Sequence, residues 1–281
     1  MIFLLAGTSD ARELAIQLCA ADYPLLASVV TDSAAHSLTA AGVAVRVGRL
    51  DEVGMVTFLQ EAGATMLVDA SHPFAAKAHR TAMAAAAQRG IPYLRFERPS
   101  KDFSEQDGVT VVDTYEQAAA QALLHKGSVM LTTGAKTMDV FARRLLEEPD
   151  VRLVVRLLPR ADNLDQCQKL GIAQKDIIAM QGPFSYDLNR ALYKHYGTSV
   201  MVTKESGAVG AVDEKVQAAR DLGIHVIVIG RPKLPYGRVF TDMDEVIHEV
   251  NQRLGVSTKD AEHSGFAEGI FPATDGPDWT Q

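Results

Sequence analysis

The sequence predicts an α/β protein whose sheets are mainly parallel and covered by helices. Three observations lead there. Strand and helix signals alternate along most of the chain with short connections, the pattern of parallel sheets. The first fourteen residues, Met1 to Leu14, read as a buried strand, a one-glycine turn and the start of a helix. One polar stretch, 99–108, divides the alternation into two halves of about five strands each.

The elements follow in order. Residues 2–5 form a short apolar run, as a central parallel strand requires. Gly7 lets the chain reverse where a side chain would clash. Thr8, Ser9 and Asp10 can cap the helix that follows. Ala11, Leu14, Ala15 and Leu18 fall at i, i+3, i+4 and i+7 and give that helix one buried face. Further strands are expected at 25–30, 43–47, 66–69 and 93–96, then at 129–132, 152–157, 177–180, 199–203 and 225–229. Helices are expected at 52–62, 75–88, 115–124, 138–146, 188–196, 214–222 and 244–254. Strand order cannot be read from the pattern, and a strand from one half can complete the sheet of the other. The expected division is 1–98 and 109–255, with 256–281, rich in Ser, Thr, Asp, Gly and Pro, as a flexible tail.

Composition narrows the function. The chain has 281 residues, 47% hydrophobic and 22% charged, as in ordinary globular proteins. The net charge of −7 argues against nucleic-acid binding, so basic residues that hold an anion must be placed locally. No apolar run reaches the roughly 18 residues of a membrane span. The apolar start is too short for a signal peptide and lacks a basic flank. The expectation is a cytoplasmic protein without a membrane partner. Cys19 and Cys167 form no C-x-x-C pair and read as core thiols. No Tyr-x-x-x-Lys, no G-x-S-x-G and no G-x-x-x-x-G-K-[ST] occurs.

Unusual clusters fall where strands should end, the edge at which α/β folds bind ligands. They are Gly7-Thr8-Ser9, Thr31-Asp32-Ser33, Gly48-Arg49-Leu50-Asp51, Asp69 to Ala75, Thr132-Thr133-Gly134, Gln181-Gly182-Pro183-Phe184, Thr203 to Gly207 and Gly230-Arg231-Pro232. A strand running into a turn under a helix N-terminus is an anion site in such sheets. Only Gly7 of the G-x-G-x-x-G pattern is present, so Gly7, Thr8 and Ser9 can equally be a turn and a cap. Asp32, about 25 residues after Gly7, stands where an acidic residue hydrogen-bonds the adenosine ribose, or is simply a turn residue. His72 and His79 have no third ligand at sensible spacing, so no metal is expected.

The ordered set Ala6 to Leu14, Asp69 to Ala75, Tyr93 to Pro99, Gln181 to Phe184, Val202 to Gly207 and Arg231-Pro232 resembles the precorrin-6A reductase (cobalt-precorrin-6A reductase) family of cobalamin biosynthesis. The resemblance spans about residues 2 to 254. It implies two Rossmann-like domains with the active site in the cleft between them. It also implies reduction of one macrocycle double bond by a nicotinamide cofactor. Its partners would be the tetrapyrrole and other corrin-pathway enzymes. On this reading the cofactor residues are Gly7, Thr8, Ser9, Thr31, Asp32, Gly48, Ser71, Pro73 and Phe74. Family members that use NADPH tend to carry a Ser and a basic residue after the second strand. The loop from Thr31 to His36 has no Arg or Lys, which favours NADH, with NADPH as the alternative.

The substrate is rich in carboxylates, so an acidic enzyme needs local donors. The substrate-binding candidates are Thr132, Thr133, Gly134, Lys136, Gly182, Pro183, Lys204, Ser206, Gly207 and Arg231, with Lys215 a weaker one. His72 and Lys204 are assigned to catalysis as positioning groups, and no residue stands out as the proton donor. Two other readings stand beside this one: a noncatalytic NAD(H)-binding sensor, and a sugar-nucleotide enzyme, which the missing Tyr-x-x-x-Lys weakens.

Overall fold

The computed structural model describes residues 1–103, 106–205 and 211–255. Ser206 and Gly207, two of the substrate candidates, and the expected tail 256–281 lie outside the described residues. The chain divides into two compact units. One is Met1–Arg98 together with the described residues from Lys233 onward; the other is Pro99–Pro232.

The first unit alternates β1 (Ile2–Ala6), α1 (Ser9–Ala20), β2 (Leu25–Val29), α2 (Asp32–Thr39), β3 (Ala44–Val47), α3 (Glu52–Glu61), β4 (Met66–Ala70), α4 (Ala76–Arg89) and β5 (Tyr93–Phe96). The second unit contains β6 (Val109–Val112), α5 (Tyr115–His125), β7 (Gly127–Leu131), α6 (Met138–Leu145), β8 (Val151–Leu157), α7 (Ala161–Lys169), β9 (Ile177–Ala179), α8 (Tyr186–His195), β10 (Thr198–Lys204), α9 (Ala211–Arg220) and β11 (His225–Ile229). The chain then returns to the first unit as β12 (Val239–Phe240) and α10 (Met243–Leu254).

Every strand pair is parallel. The first sheet runs β3-β2-β1-β4-β5-β12, the order of dinucleotide-binding sheets. The second runs β9-β8-β7-β10-β11-β6, which repeats that order with β7 in the place of β1. β1, β2 and β4 are buried along their whole length, because helices cover both faces and leave no polar side to alternate with. In each sheet the order reverses between two central strands, β1 and β4 in the first and β7 and β10 in the second. The crevice outside the carboxyl ends of such a pair is the place for a ligand.

Several expectations change. The second domain does not run to residue 255: β12 pairs with β5, and Val246 and Val250 of α10 are fully buried in the first unit's core. The stretch 99–108 is not a free linker. Phe103 is buried in the second unit's core, and the Lys101 N–H donates to the Glu205 carboxylate. α2 replaces the loop expected after Thr31. The Thr31 hydroxyl caps it by accepting from the Ala34 N–H, and only Leu38 is buried. The fold also contains α7, β6 and β12, which the periodicity did not announce. β12 is two residues long, and α7 is polar along most of its length with only Cys167 fully buried.

Candidate active site

In the first unit the crevice is bounded by the residues after β1 and β4. Ala6 and Ala70 are in register, and the Thr8 hydroxyl leans from one loop to the Ala70 carbonyl at 3.4 Å. Thr8 caps α1 by accepting from the Ala11 N–H at 3.0 Å, so its hydroxyl serves the helix. Gly7 does not act as expected. Its φ is not positive, and a Cβ there would meet nothing within 4 Å. Neither turn geometry nor packing among the described residues asks for glycine at this position. Open space in front of a twelve-residue helix N-terminus fits the pyrophosphate of a dinucleotide.

Asp10 beside this cradle would repel an anion. It is ion-paired with Arg98, Nε to Oδ2 at 2.6 Å, and Arg98 also reaches the Ser9 hydroxyl. Arg98 thus brings positive charge to the mouth of α1. The clue lay in the motif from Tyr93 to Pro99. Thr31 and Asp32 sit exposed at the carboxyl end of β2, at the start of α2. Gly48, with φ +116°, follows β3, where its carbonyl accepts from Arg46 at 2.8 Å.

Ser71, His72, Pro73 and Phe74 form the loop after β4. The Phe74 N–H donates to His72 Nδ1 at 3.2 Å, and His72 is exposed. Beneath the loop lies a buried polar network. Asp69 is fully buried and accepts from the Ser71 hydroxyl at 2.6 Å, His79 Nδ1 at 2.7 Å, the Tyr93 hydroxyl at 2.8 Å and Arg95 Nη1 at 3.3 Å. Arg95, also fully buried, donates to the carbonyls of Asp69 and Ser71 and pairs with Glu97 at 2.7 Å. Burial by itself would push the Asp69 carboxyl up. The hydrogen bond from His79, the charges of Arg95 and His79 and the bond from Ser71 outweigh it and hold the carboxyl down at about 2. The sequence sets Asp69 at the strand edge and offers His79 only as a metal-ligand candidate, so it does not bring the two together.

In the second unit the equivalent crevice lies after β7 and β10. Thr132 is tied to β10, its N–H and hydroxyl both donating to the Val202 carbonyl. Thr133 is buried near Thr137, and Gly134 has φ +81°, which favours glycine. Lys136 is exposed in the short 3₁₀ turn that follows. Lys204, half-buried, stands over the Tyr115 ring at 5.4 Å. Burial, with the Lys136 charge, lowers its amine to about 8. Lys215 is pushed down to about 7 by burial, then by the charges of Arg156 and Lys204. The Lys136 charge thus acts on Lys204, and the charges of Lys204 and Arg156 act on Lys215. Arg156 was missed. It is buried on β8, donates to Asn189 at 2.7 Å and lies over the Phe184 ring at 4.0 Å.

Two substrate candidates meet structural partners instead. Arg231 is ion-paired with Glu205 and donates to the Pro99 carbonyl at 3.2 Å, so its charge is largely neutralised within the unit. Gly182 packs against the Phe184 ring, where a Cβ would come within 3.1 Å, and the Gly182–Pro183 peptide is cis.

Comparison with known proteins identifies the family. The profile of the family described as "Precorrin-6x reductase CbiJ/CobK" matches residues 1–251. The cobalt-precorrin-6A reductase of Priestia megaterium is 56% identical over 253 residues, covering 90% of this chain and 99% of the relative. The precorrin-6A reductase of Rhodococcus erythropolis is 33% identical and covers 83% of this chain and 90% of its own. A solved structure of CobK precorrin-6A reductase superposes with a TM-score of 0.73 at 26% identity, over 89% of this chain and 96% of that one. With the family profile spanning both units and a relative matched over nearly its full length, the chain belongs to the precorrin-6A/cobalt-precorrin-6A reductase family.

Proposed function

We propose that the first unit holds NADH and the second holds the tetrapyrrole. The chain is an NAD(P)H-dependent oxidoreductase acting on CH–CH bonds: it reduces one double bond of precorrin-6A, or its cobalt form, to the 6B form. The observation that carries the assignment of the first unit is the open cradle at Gly7, under α1, at the point where the sheet order reverses. When bound, the dihydronicotinamide supplies the hydride. The chain's own residues orient and exclude water. The α1 N-terminus and Arg98 favour negative charge at the pyrophosphate. Asp32 accepts from the ribose hydroxyls. Ser71, His72, Pro73 and Phe74 border the nicotinamide. On the second unit Lys204, Lys136 and the turn Thr132-Thr133-Gly134 take the carboxylates of the macrocycle, with Ser206 and Gly207 in the same motif. Because the reaction needs correct placement to within about 3–3.5 Å of the reacting carbon, His72 and Lys204 act as positioning groups.

The name of the relative at 56% identity favours the cobalt-containing macrocycle as substrate. A cytoplasmic location fits a chain in which no described helix is long and apolar enough to cross a membrane. The test is oxidation of NADH, followed by its near-ultraviolet absorbance, on addition of precorrin-6A and of cobalt-precorrin-6A in parallel. Turnover with either identifies the reductase and its preferred substrate. Binding of NADH without turnover on both would show a sensor instead.

A further inference from the structure

We infer that His79 is a doubly protonated, buried positioning residue that clamps the loop Ser71-His72-Pro73-Phe74 through the Pro73 carbonyl. The inference rests on the reading that this loop borders the nicotinamide. His79 is fully buried on α4. Its Nδ1 lies 2.7 Å from Asp69 Oδ2 and its Nε2 lies 3.2 Å from the Pro73 carbonyl oxygen.

Both of those partners can only accept. The Asp69 carboxylate already accepts from the Ser71 and Tyr93 hydroxyls and the Arg95 guanidinium, and a peptide carbonyl has no proton to give. The remaining neighbour of the ring, the Ser71 hydroxyl at 3.3 Å from Nδ1, directs its one proton to Asp69 Oδ1 at 2.6 Å. The Tyr93 hydroxyl likewise donates to Asp69. A neutral imidazole would leave one nitrogen lone pair facing an oxygen lone pair in a site without water access, which is costly. A proton on each nitrogen satisfies both contacts.

The surrounding charges accommodate that cation. Arg95 divides its guanidinium between Asp69 and Glu97, so it neutralises Asp69 only in part. Among the described residues, Asp69 from β4, Tyr93 and Arg95 from β5 and Tyr236 from the returning chain are the titratable and charged groups around the ring, with Glu97 paired to Arg95 behind them. The Tyr236 ring meets the His79 ring edge-on at 5.5 Å and lies 5.4 Å from the Arg95 guanidinium. The imidazolium thus joins the strand end, through Asp69, to the loop, through Pro73. It fixes the loop's height above the sheet without touching any reactant.

Nitrogen-15 NMR of the wild-type ring at about pH 7 tests the protonation directly. Two protonated nitrogens of similar shift support the inference, and a neutral tautomer overturns it. His79→Gln, which can donate to only one of the two acceptors in line, should lower kcat about ten- to a hundredfold with the precorrin KM unchanged. Wild-type kcat in a folded His79→Gln protein overturns the positioning role. Where that variant does not fold, the wild-type spectrum decides alone. Phe74→Ala separates the premise from the inference. If it leaves NADH affinity unchanged, the loop does not border the nicotinamide. If it weakens NADH while His79→Gln changes nothing, the clamp is wrong and the placement of the loop stands.

Discussion

At the scale of single residues the strongest commitments are ionic. Asp69 is buried with two cationic partners, and breaking such a set leaves a charge without compensation. Asp69→Asn should therefore cost about 3–5 kcal/mol in urea unfolding. The same residue sets a pH dependence. Its folded carboxyl lies at about 2, below the unfolded value, so its stabilisation is present above about pH 4 and is lost as pH falls toward 2. It amounts to about 2 kcal/mol, and it should be absent from the acid unfolding curve of Asp69→Asn.

Lys204 works in the opposite sense. Its folded amine is lowered to about 8, so carrying the charge costs stability at neutral pH, and the cost is relieved as pH rises through 8 toward the unfolded value. Lys204→Ala should consequently fold no less stably than the wild type. A charge-assisted hydrogen bond to a substrate carboxylate is worth about 1.5–3 kcal/mol, so the precorrin KM should rise about ten- to a hundredfold in that variant. NADH affinity, read by fluorescence titration, should stay unchanged. In the wild type the precorrin KM should increase as the assay pH passes 8, because the neutral amine no longer attracts the carboxylate. A loss of NADH binding in Lys204→Ala would reverse the assignment of the two units.

At the scale of elements, the cofactor site is a strand end and a helix start. Gly7→Ala adds a methyl group to empty space at a backbone angle any residue adopts. Unfolding stability should change by no more than about 0.5 kcal/mol. NADH affinity should fall measurably, since the methyl group intrudes where the pyrophosphate approaches. An unchanged NADH Kd would move the phosphate site elsewhere. At the start of α2, Asp32 would stand next to a 2′-phosphate with no Arg or Lys in the turn to offset it. The wild type should prefer NADH, and Asp32→Ser should relax that preference in the ratio of kcat/KM for the two cofactors. A wild type that prefers NADPH would exclude the role.

At the scale of the whole molecule, the first unit is completed by chain that arrives after the second. Val246 and Val250 on α10 are fully buried in its core, α10 packs on β5 and β12, and Tyr23 hydrogen-bonds Asn251. Each such side chain contributes about 1.5–3 kcal/mol on burial. A fragment ending at Pro232 should keep one cooperative unfolding transition, that of the second unit, and lose the first. A fragment spanning 99–232 should fold alone, and one spanning 1–98 should not. Calorimetry and circular dichroism on the three fragments check this. A stable 1–98 fragment would show that the return of β12 and α10 is dispensable.

The sequence by itself determined the alternation of elements, the parallel character of both sheets and the family, because these depend on local periodicity and on short ordered motifs. It placed the ends of β1, β4, β7 and β10 to within one residue, since an apolar run that stops at polar residues marks its own boundary. Short or polar elements escaped it. α2 and α7 bury little, and β12 has two residues, so none carries a readable period. Only the tertiary structure decided that β12 and α10 belong to the first unit, that Arg231 is held by Glu205, that Arg98 faces Asp10, and that Asp69 meets His79 under the Pro73 loop. Those facts join residues from ten to well over a hundred positions apart. Pairing across a sheet or through a buried network depends on where the strands lie side by side, and strand order leaves no mark on the local pattern of side chains.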